Sequence, residues 1–453
     1  MAHQPNFGMR WESLSPGETE KMKSVKVCCL ALFLAGLISG LGSTHRVQGE
    51  AAAEAATSLD LTTNGFVDQA TFDGDRAEFE QVEGTSDGIG PLYNSNSCAA
   101  CHANPITGVE SLSTELRAGH LDDNGNFVPA TVTLNDGLTT IPNRSLINDR
   151  AICPGIVMDA VGVAHDFQDT CIQERVPGTE NIRAFRRVTN VLGDGFVEAI
   201  DDDTLRDIAA AQARSSGGRI HGEAIEVPVL ESPGQTRIGR FGWKDQHSSL
   251  LSFVGDAYLN EMGVTNRLRP HDTTSIGKVT RDPEDAPDAL GLADIDHFAQ
   301  FVRGTKAPPR DAQLAASASA QAGEHLFHTI GCAACHVATI VTAPAGTLID
   351  GGTFAVPVAL GNKIIHPYSD FLLHDIDTGD GIVQTPPEDT ANKLRTAPLW
   401  GLRVRPRHMH DLKSLTLENA IDRHGGEAAE VRDRFQRLSE SEKEELFRFL
   451  NSL

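Results

Sequence analysis

Cys98-Ala99-Ala100-Cys101-His102 recurs as Cys332-Ala333-Ala334-Cys335-His336. C-x-x-C-H is the attachment pattern of c-type haem. Two thiols at this spacing reach the two vinyl groups along one porphyrin edge, and the adjacent His reaches the iron as proximal ligand. Cys98, Cys101, Cys332 and Cys335 are therefore expected as thioethers, with His102 and His336 on iron. The alternative is a zinc knuckle or a redox dithiol. Two copies, each with its own His and neither with a second ligand pair at zinc-finger spacing, argue against it. The reading is two covalently bound haem c groups on one chain.

The chain has 453 residues, 40% of them hydrophobic, which allows two or three domains with their own cores. The net charge is −23. Residues 1–49 are slightly basic, so the excess of acid lies in the body of the chain. That charge argues against nucleic acid and anionic membrane surfaces as partners and suits a small basic redox protein as electron donor, with solubility as the alternative reason for it. Lys21, Lys23 and Lys26 precede an apolar run from Val27 to Gly42. This is a signal-peptide pattern, with an uncleaved anchor as the alternative and the only expected membrane contact. Met22 is a candidate initiator. Either way the body is expected to be exported, in the periplasm or its equivalent. Cys28 and Cys29 lie in the apolar run. Cys153 and Cys171 remain and, in an oxidising compartment, are expected as a disulfide.

Residues 50–60 are rich in Ala and Glu and read as a disordered lead-in. Phe127 to Leu134 reads as a strand, followed by the turn signal Asn135-Asp136-Gly137. Val191 to Glu198 and Glu223 to Leu230 read as extended. Helices are expected over Asp203–Arg214, about His247–Leu259, Asp294–Gly304 and Ala320–Thr329. Thr416 caps a short helix carrying Leu417, Ile421 and His424 on one face, stopped by Gly425-Gly426. Ser439 and Glu442 form a capping box for a last helix that buries Leu446, Phe447 and Leu450. The expected fold is mainly α, as two cytochrome c-like haem domains. The first spans 50–305, with a strand- and loop-rich insertion at about 103–235; the second spans 306–453.

Several stretches resemble the bacterial di-haem oxidoreductases related to cytochrome c peroxidases. They are Gly90-Pro91-Leu92-Tyr93-Asn94, Gly239-Arg240-Phe241-Gly242-Trp243-Lys244 and Asn260-Glu261-Met262-Gly263. Tyr368 to Asp375 and Thr396 to Leu402 continue the series, followed by His410-Asp411 and Arg423-His424-Gly425-Gly426. Singly none is specific; together, in order over about residues 60–450, they are. The resemblance implies one haem in each of two facing domains, with peroxide handled at the first and electrons entering at the second.

The resemblance also implies residue roles. His424 falls where these enzymes bring a distal ligand to the second iron, a Met in the better-known peroxidases and a Tyr in the relatives that modify a protein. An inward-facing His beside Leu417 and Ile421 independently needs a partner, and imidazole suits iron. A carbonyl partner is the alternative, and His408, Met409 or His410 also lie nearby. Bis-histidine ligation would lower the potential relative to His/Met. Glu261 falls at the position of the distal acid/base, where a carboxyl can take and return the proton of peroxide. The distal Gln of the family has no counterpart, its place being held by Phe253. Met262 or His247 could instead close the first iron. Trp243 falls at the inter-haem Trp. Arg395 is a candidate partner of a haem propionate. The Thr-x-Pro that helps hold calcium in the family reads Arg405-Pro406-Arg407 here, so calcium remains possible but unsupported. The expected function is reduction of hydrogen peroxide. The alternatives are a non-catalytic di-haem electron-transfer cytochrome and a haem oxygenase or protein-modifying enzyme on the same scaffold.

Overall fold

Aromatic side chains at helical spacing build the main core. Phe72 and Phe79, on the Gln69–Glu80 helix, meet Phe298 and Phe301 on the Asp294–Gly304 helix, with Phe79 and Phe301 ring centres 4.8 Å apart. Tyr258 and Met262 of the Leu250–Met262 helix close the same cluster. The first helix starts at Asp68, whose side chain accepts from the Thr71 amide. The third starts at Ser249, which does the same for Ser252. The computed structural model describes residues 51–84, 86–134, 140–144, 146–152, 156–158, 164–166, 173–271, 284–384 and 387–453. The targeting segment, the Asn135-Asp136-Gly137 turn and the proposed Cys153–Cys171 pair lie outside them. Among the described residues no helix is long and apolar enough to cross a membrane.

A second core forms from the Ala318–Ile330 and Glu440–Leu450 helices, which pack along each other and bury Phe327, Leu446, Phe449 and Leu450. Phe449, rather than Phe447, takes the deeper position. The Ser439–Glu442 capping box is present with both of its hydrogen bonds.

The expectation of a mainly α fold is overturned: the chain is mixed α/β. A six-stranded antiparallel sheet stands between the first haem motif and the Asp202–Ser216 helix. Thr114–Leu121 is its centre, paired with Phe127–Leu134, Leu146–Ile147 and Ile182–Arg187, while Thr140–Arg144 and Glu174–Arg175 pair with Phe127–Leu134. Ala118, Ala130, Val132 and Leu134 supply its own small core. Short pairings continue through the second half, such as Leu373–His374 against Leu394–Arg395. Strands of two or three residues are too short to show a period in the sequence, which is why the strand content was under-read.

Two further expectations fail. Residues 51–60 are ordered: Ala53–Glu54 pairs in parallel with Lys363–Ile364, and Thr57 bridges to Ala307. These contacts use backbone groups, which composition does not report. Val191 to Glu198 is not extended. Asp194–Glu198 is a short, wholly buried helix packed on the Asp294–Gly304 helix, and tertiary packing overrides its strand-like composition.

Candidate active site

At the second motif, Gly331 ends the Ala318–Ile330 helix at φ 107°, a conformation that suits Gly, and Cys332–Ala334 turn back as one 3-10 turn. The His336 amide donates to the Cys332 carbonyl at 3.0 Å. Both Cys side chains and His336 face a mostly apolar cleft of about 1350 Å³, counting its open mouth. His336 Nδ1 lies 2.9 Å from the Tyr368 carbonyl. As a donor there, it leaves Nε2 unprotonated. Burial, with a lesser push from His424, depresses His336 to about 4, so the ring is neutral at pH 7. His424 lines the same cleft and repeats the arrangement, its Nδ1 lying 2.8 Å from the Ala420 carbonyl of its own helix. The carbonyl partner thus occupies one ring nitrogen and leaves the other available. His408, Met409 and His410 line the cleft too.

At the first motif, the Ala99 amide donates to the Phe79 carbonyl, tying the turn to the preceding helix, and His102 closes the turn onto Cys98 at 3.0 Å. The Phe79 and His102 rings lie 6.2 Å apart. Burial depresses His102 to about 4 and raises the Cys98 thiol to about 12. His102 Nδ1 is buried without a hydrogen-bond partner. The cleft here, about 1900 Å³ with its mouth, is more polar in character. The helical core forms one wall, and the sheet forms the other through Ser113, Thr114, Glu115, Arg117, Arg186 and Arg187.

Glu261 lines this cleft from the end of the Leu250–Met262 helix. Its Oε2 accepts from Asn94 Nδ2 at 2.8 Å, and its backbone carbonyl accepts from the Asn94 and Ser95 amides. Burial and then the charge of Glu115 raise Glu261 to about 8. Glu115 lines the same cleft. Burial would raise Glu115 as well, but Arg117 overrides it and holds that carboxyl below its ordinary range. The fork closes at 2.8 and 3.0 Å.

The family model described as "Di-haem oxidoreductase, putative peroxidase" matches residues 165–453. The chain belongs to this family. No curated protein matches it. Among solved structures, a MauG-like protein associated with microbial copper homeostasis is 14% identical, with 89% of this chain and 93% of that one covered at a TM-score of 0.36. Hydrazine synthase of Kuenenia stuttgartiensis is 12% identical, with 96% and 100% covered at 0.35. A variant of the diheme peroxidase BthA from Burkholderia thailandensis E264 is 14% identical, with 72% and 95% covered at 0.29.

A di-haem oxidoreductase needs a cleft beside each haem-attachment turn, and the two C-x-x-C-H turns each line one. Each proximal candidate is a half-buried, neutral imidazole with a nitrogen to spare. Zinc fits less well. Among the described residues the one cluster of metal-type ligands is Cys335, Asp370 and His374. It leaves out Cys332, and both His374 nitrogens lie 2.9 Å from carboxylates, Asp370 and Glu427.

The remaining expected residues fall as follows. Trp243 is buried in the wall that both clefts share. Its Nε1 donates to the Arg187 carbonyl at 2.8 Å, and the Arg187 guanidinium sits 5.4 Å from its ring centre. Arg395 lines the second cleft, donates to the Gly242 carbonyl at 2.8 Å and lies 3.7 Å from Asp245. Phe253 lines the first cleft, stacked on Phe241. Met262 lines it as well. His247 does not, and its Nε2 lies 3.2 Å from Asp256. Arg405, at the departed calcium turn, pairs with Glu110 at 3.1 Å.

Sequence reading missed Glu115 and Arg117. They alternate along one strand face, a signal present in Thr114-Glu115-Leu116-Arg117 but without meaning until the strand is placed against Glu261. It also missed the cradle behind the second motif. Gln212 Nε2 donates to the Ala334 carbonyl at 2.8 Å and to Asp370 at 2.6 Å, joining the haem turn to the His374 cluster.

Proposed function

We propose that the chain is an exported c-type di-haem enzyme that reduces hydrogen peroxide at the His102 cleft. Electrons enter at the His336 cleft from a small redox protein. The observation that carries this reading is the asymmetry of the two clefts. The second presents two imidazoles, His336 and His424, each held by a carbonyl at Nδ1. The first presents His102 together with a carboxyl pair. The Cys pairs attach each haem through thioethers, and bound haem supplies the redox-active iron.

The chain's own residues supply the rest. Burial and the neighbouring Glu115 raise the Glu261 carboxyl above its ordinary range, which suits it to take up and return a proton from an oxidant entering the first cleft. Asn94 fixes the carboxyl's direction. Trp243 offers an aromatic bridge in the common wall. The acid excess of the body favours a basic donor protein. Export is supported by the apolar run at Val27–Gly42 and by the C-x-x-C-H pattern, whose haem is attached on the exported side.

One observation favours a second reading. Met262 is buried and lines the first cleft, where its sulfur could close the iron and leave an electron carrier. Spectra of the oxidised and half-reduced protein separate the two. The enzyme reading expects a high-spin or water-bound first haem that reacts with peroxide. A low-spin spectrum in every redox state, inert to peroxide, contradicts it.

A further inference from the structure

The second cleft runs against the charge of the chain. The protein carries 62 acidic and 39 basic residues, yet among the described residues no Asp or Glu lines this cleft, while Arg187, Arg395, Arg405 and Arg432 do. The first cleft is balanced: four carboxyl and four guanidinium residues line it. Arg432 is half-buried and paired with Asp433. The side chains of Arg187, Arg395 and Arg405 are only 4%, 6% and 5% exposed, so water does little to offset their charge.

Their partners within the protein are incomplete. Arg187 Nη1 pairs with Glu110, and Arg405 reaches the same carboxylate through Nε at 3.1 Å. One carboxylate shared by two guanidinium groups balances one of them. Arg405 Nη2 donates to the Trp400 carbonyl at 3.1 Å. Arg395 donates through Nε to the Gly242 carbonyl at 2.8 Å, and Asp245 stands 3.7 Å away. Arg187 Nη2, Arg405 Nη1 and both Nη atoms of Arg395 have no hydrogen-bond partner among the described residues. The other charges near this wall are engaged elsewhere. Arg186 and Lys244 share Asp380 at 2.5 and 3.3 Å, and His374 stands between Asp370 and Glu427 at 2.9 Å from each. A haem brings two carboxylates, and planar guanidinium forks match carboxylates.

We propose that Arg187, Arg395 and Arg405 seat the carboxylates of the second haem and hold its potential up, offsetting the lowering that a second imidazole brings. Buried cations favour the reduced iron, which carries one positive charge fewer, and do so more strongly than they would in water. This rests on the reading of His336 and His424 as the axial pair and of this haem as the electron entry. It explains how a haem with two imidazoles can still accept electrons from a donor protein.

The test is a redox titration of the full holoprotein, following each haem by its absorbance, with the resonance Raman band of the haem carboxylates recorded on the same samples. Arg395 and Arg405 are the residues to change, because they line the second cleft and not the first. In Arg395→Gln and Arg405→Gln the second-haem midpoint should fall by about 59 mV or more, a tenfold change in a one-electron equilibrium. The carboxylate band should shift, and the first-haem midpoint should move less. Arg395→Lys and Arg405→Lys keep the charge and should keep most of the midpoint. Two positions and two substitutions keep the proposal testable should one variant fail to fold. An unmoved or raised second-haem midpoint in the Gln variants overturns it, as does an equal fall at both haems or the same fall in the Lys variants. If His424→Ala leaves the second-haem spectrum unchanged while the Gln variants still lower its midpoint, the axial reading fails and the arginine seat stands.

Discussion

His424 is where a single side chain decides most. Its Nδ1 is committed to the Ala420 carbonyl, so what remains for the cleft is one neutral nitrogen. His424→Ala should convert the second haem from low-spin to high-spin and shift its potential; an unchanged spectrum removes His424 as ligand. Glu261→Gln should slow peroxide cleavage by about 100-fold or more, the usual loss for an acid/base group. An unaffected rate retires that role. His374 tests the cradle. Burial opposes its charge, but Asp370 leads the partners that override it and hold the imidazole well above its ordinary value. The stability this contributes is therefore fully present below about pH 6.5, and is lost as pH rises through the elevated folded-state value. His374→Ala should cost about 3–5 kcal/mol, because Asp370 and Glu427 are left facing each other. Denaturation at pH 6 measures it, and a loss below about 1 kcal/mol contradicts the account of the cluster as a buried ion set.

At the scale of elements, the helices were legible where caps and periodicity coincide. Asp294–Gly304 was expected at the bounds it has, with Ile295, Phe298 and Val302 all buried. The Ser439 box and the Thr416 cap were readable because each is a local rule satisfied by residues three apart. The Phe127–Leu134 strand was readable from its β-branched and aromatic residues. What was not legible was pairing between distant segments. Ala53 with Lys363 and Glu115 with Arg186 are backbone matches that no local pattern announces. One helix contact is unusually exacting. A Cβ on Gly323 would stand 2.0 Å from the Glu445 carbonyl oxygen of the last helix. Gly323→Ala should therefore destabilise the protein by about 1–3 kcal/mol despite the better helix propensity of Ala. Urea denaturation checks the sign, and a more stable variant would show that the two backbones can separate freely.

For the whole molecule, the two C-x-x-C-H turns and the family stretches located both clefts, because each motif is contiguous. Trp243, His424 and Glu261 were found through resemblance and do line the clefts. Their cooperation with Glu115, Arg117, Gln212 and Arg187 was not readable, since those partners come from segments far away in sequence. The mainly α expectation failed for the same reason: haem motifs announce the helices around them, while the inserted sheet announces itself weakly. The central claim is that each cleft carries a haem held through its Cys pair. The most direct measurement is the intact mass of the protein, purified from an exporting host and denatured. The account predicts a polypeptide heavier by two haems that stay attached through denaturation. The mass of the bare chain, with or without zinc in the native sample, would contradict it.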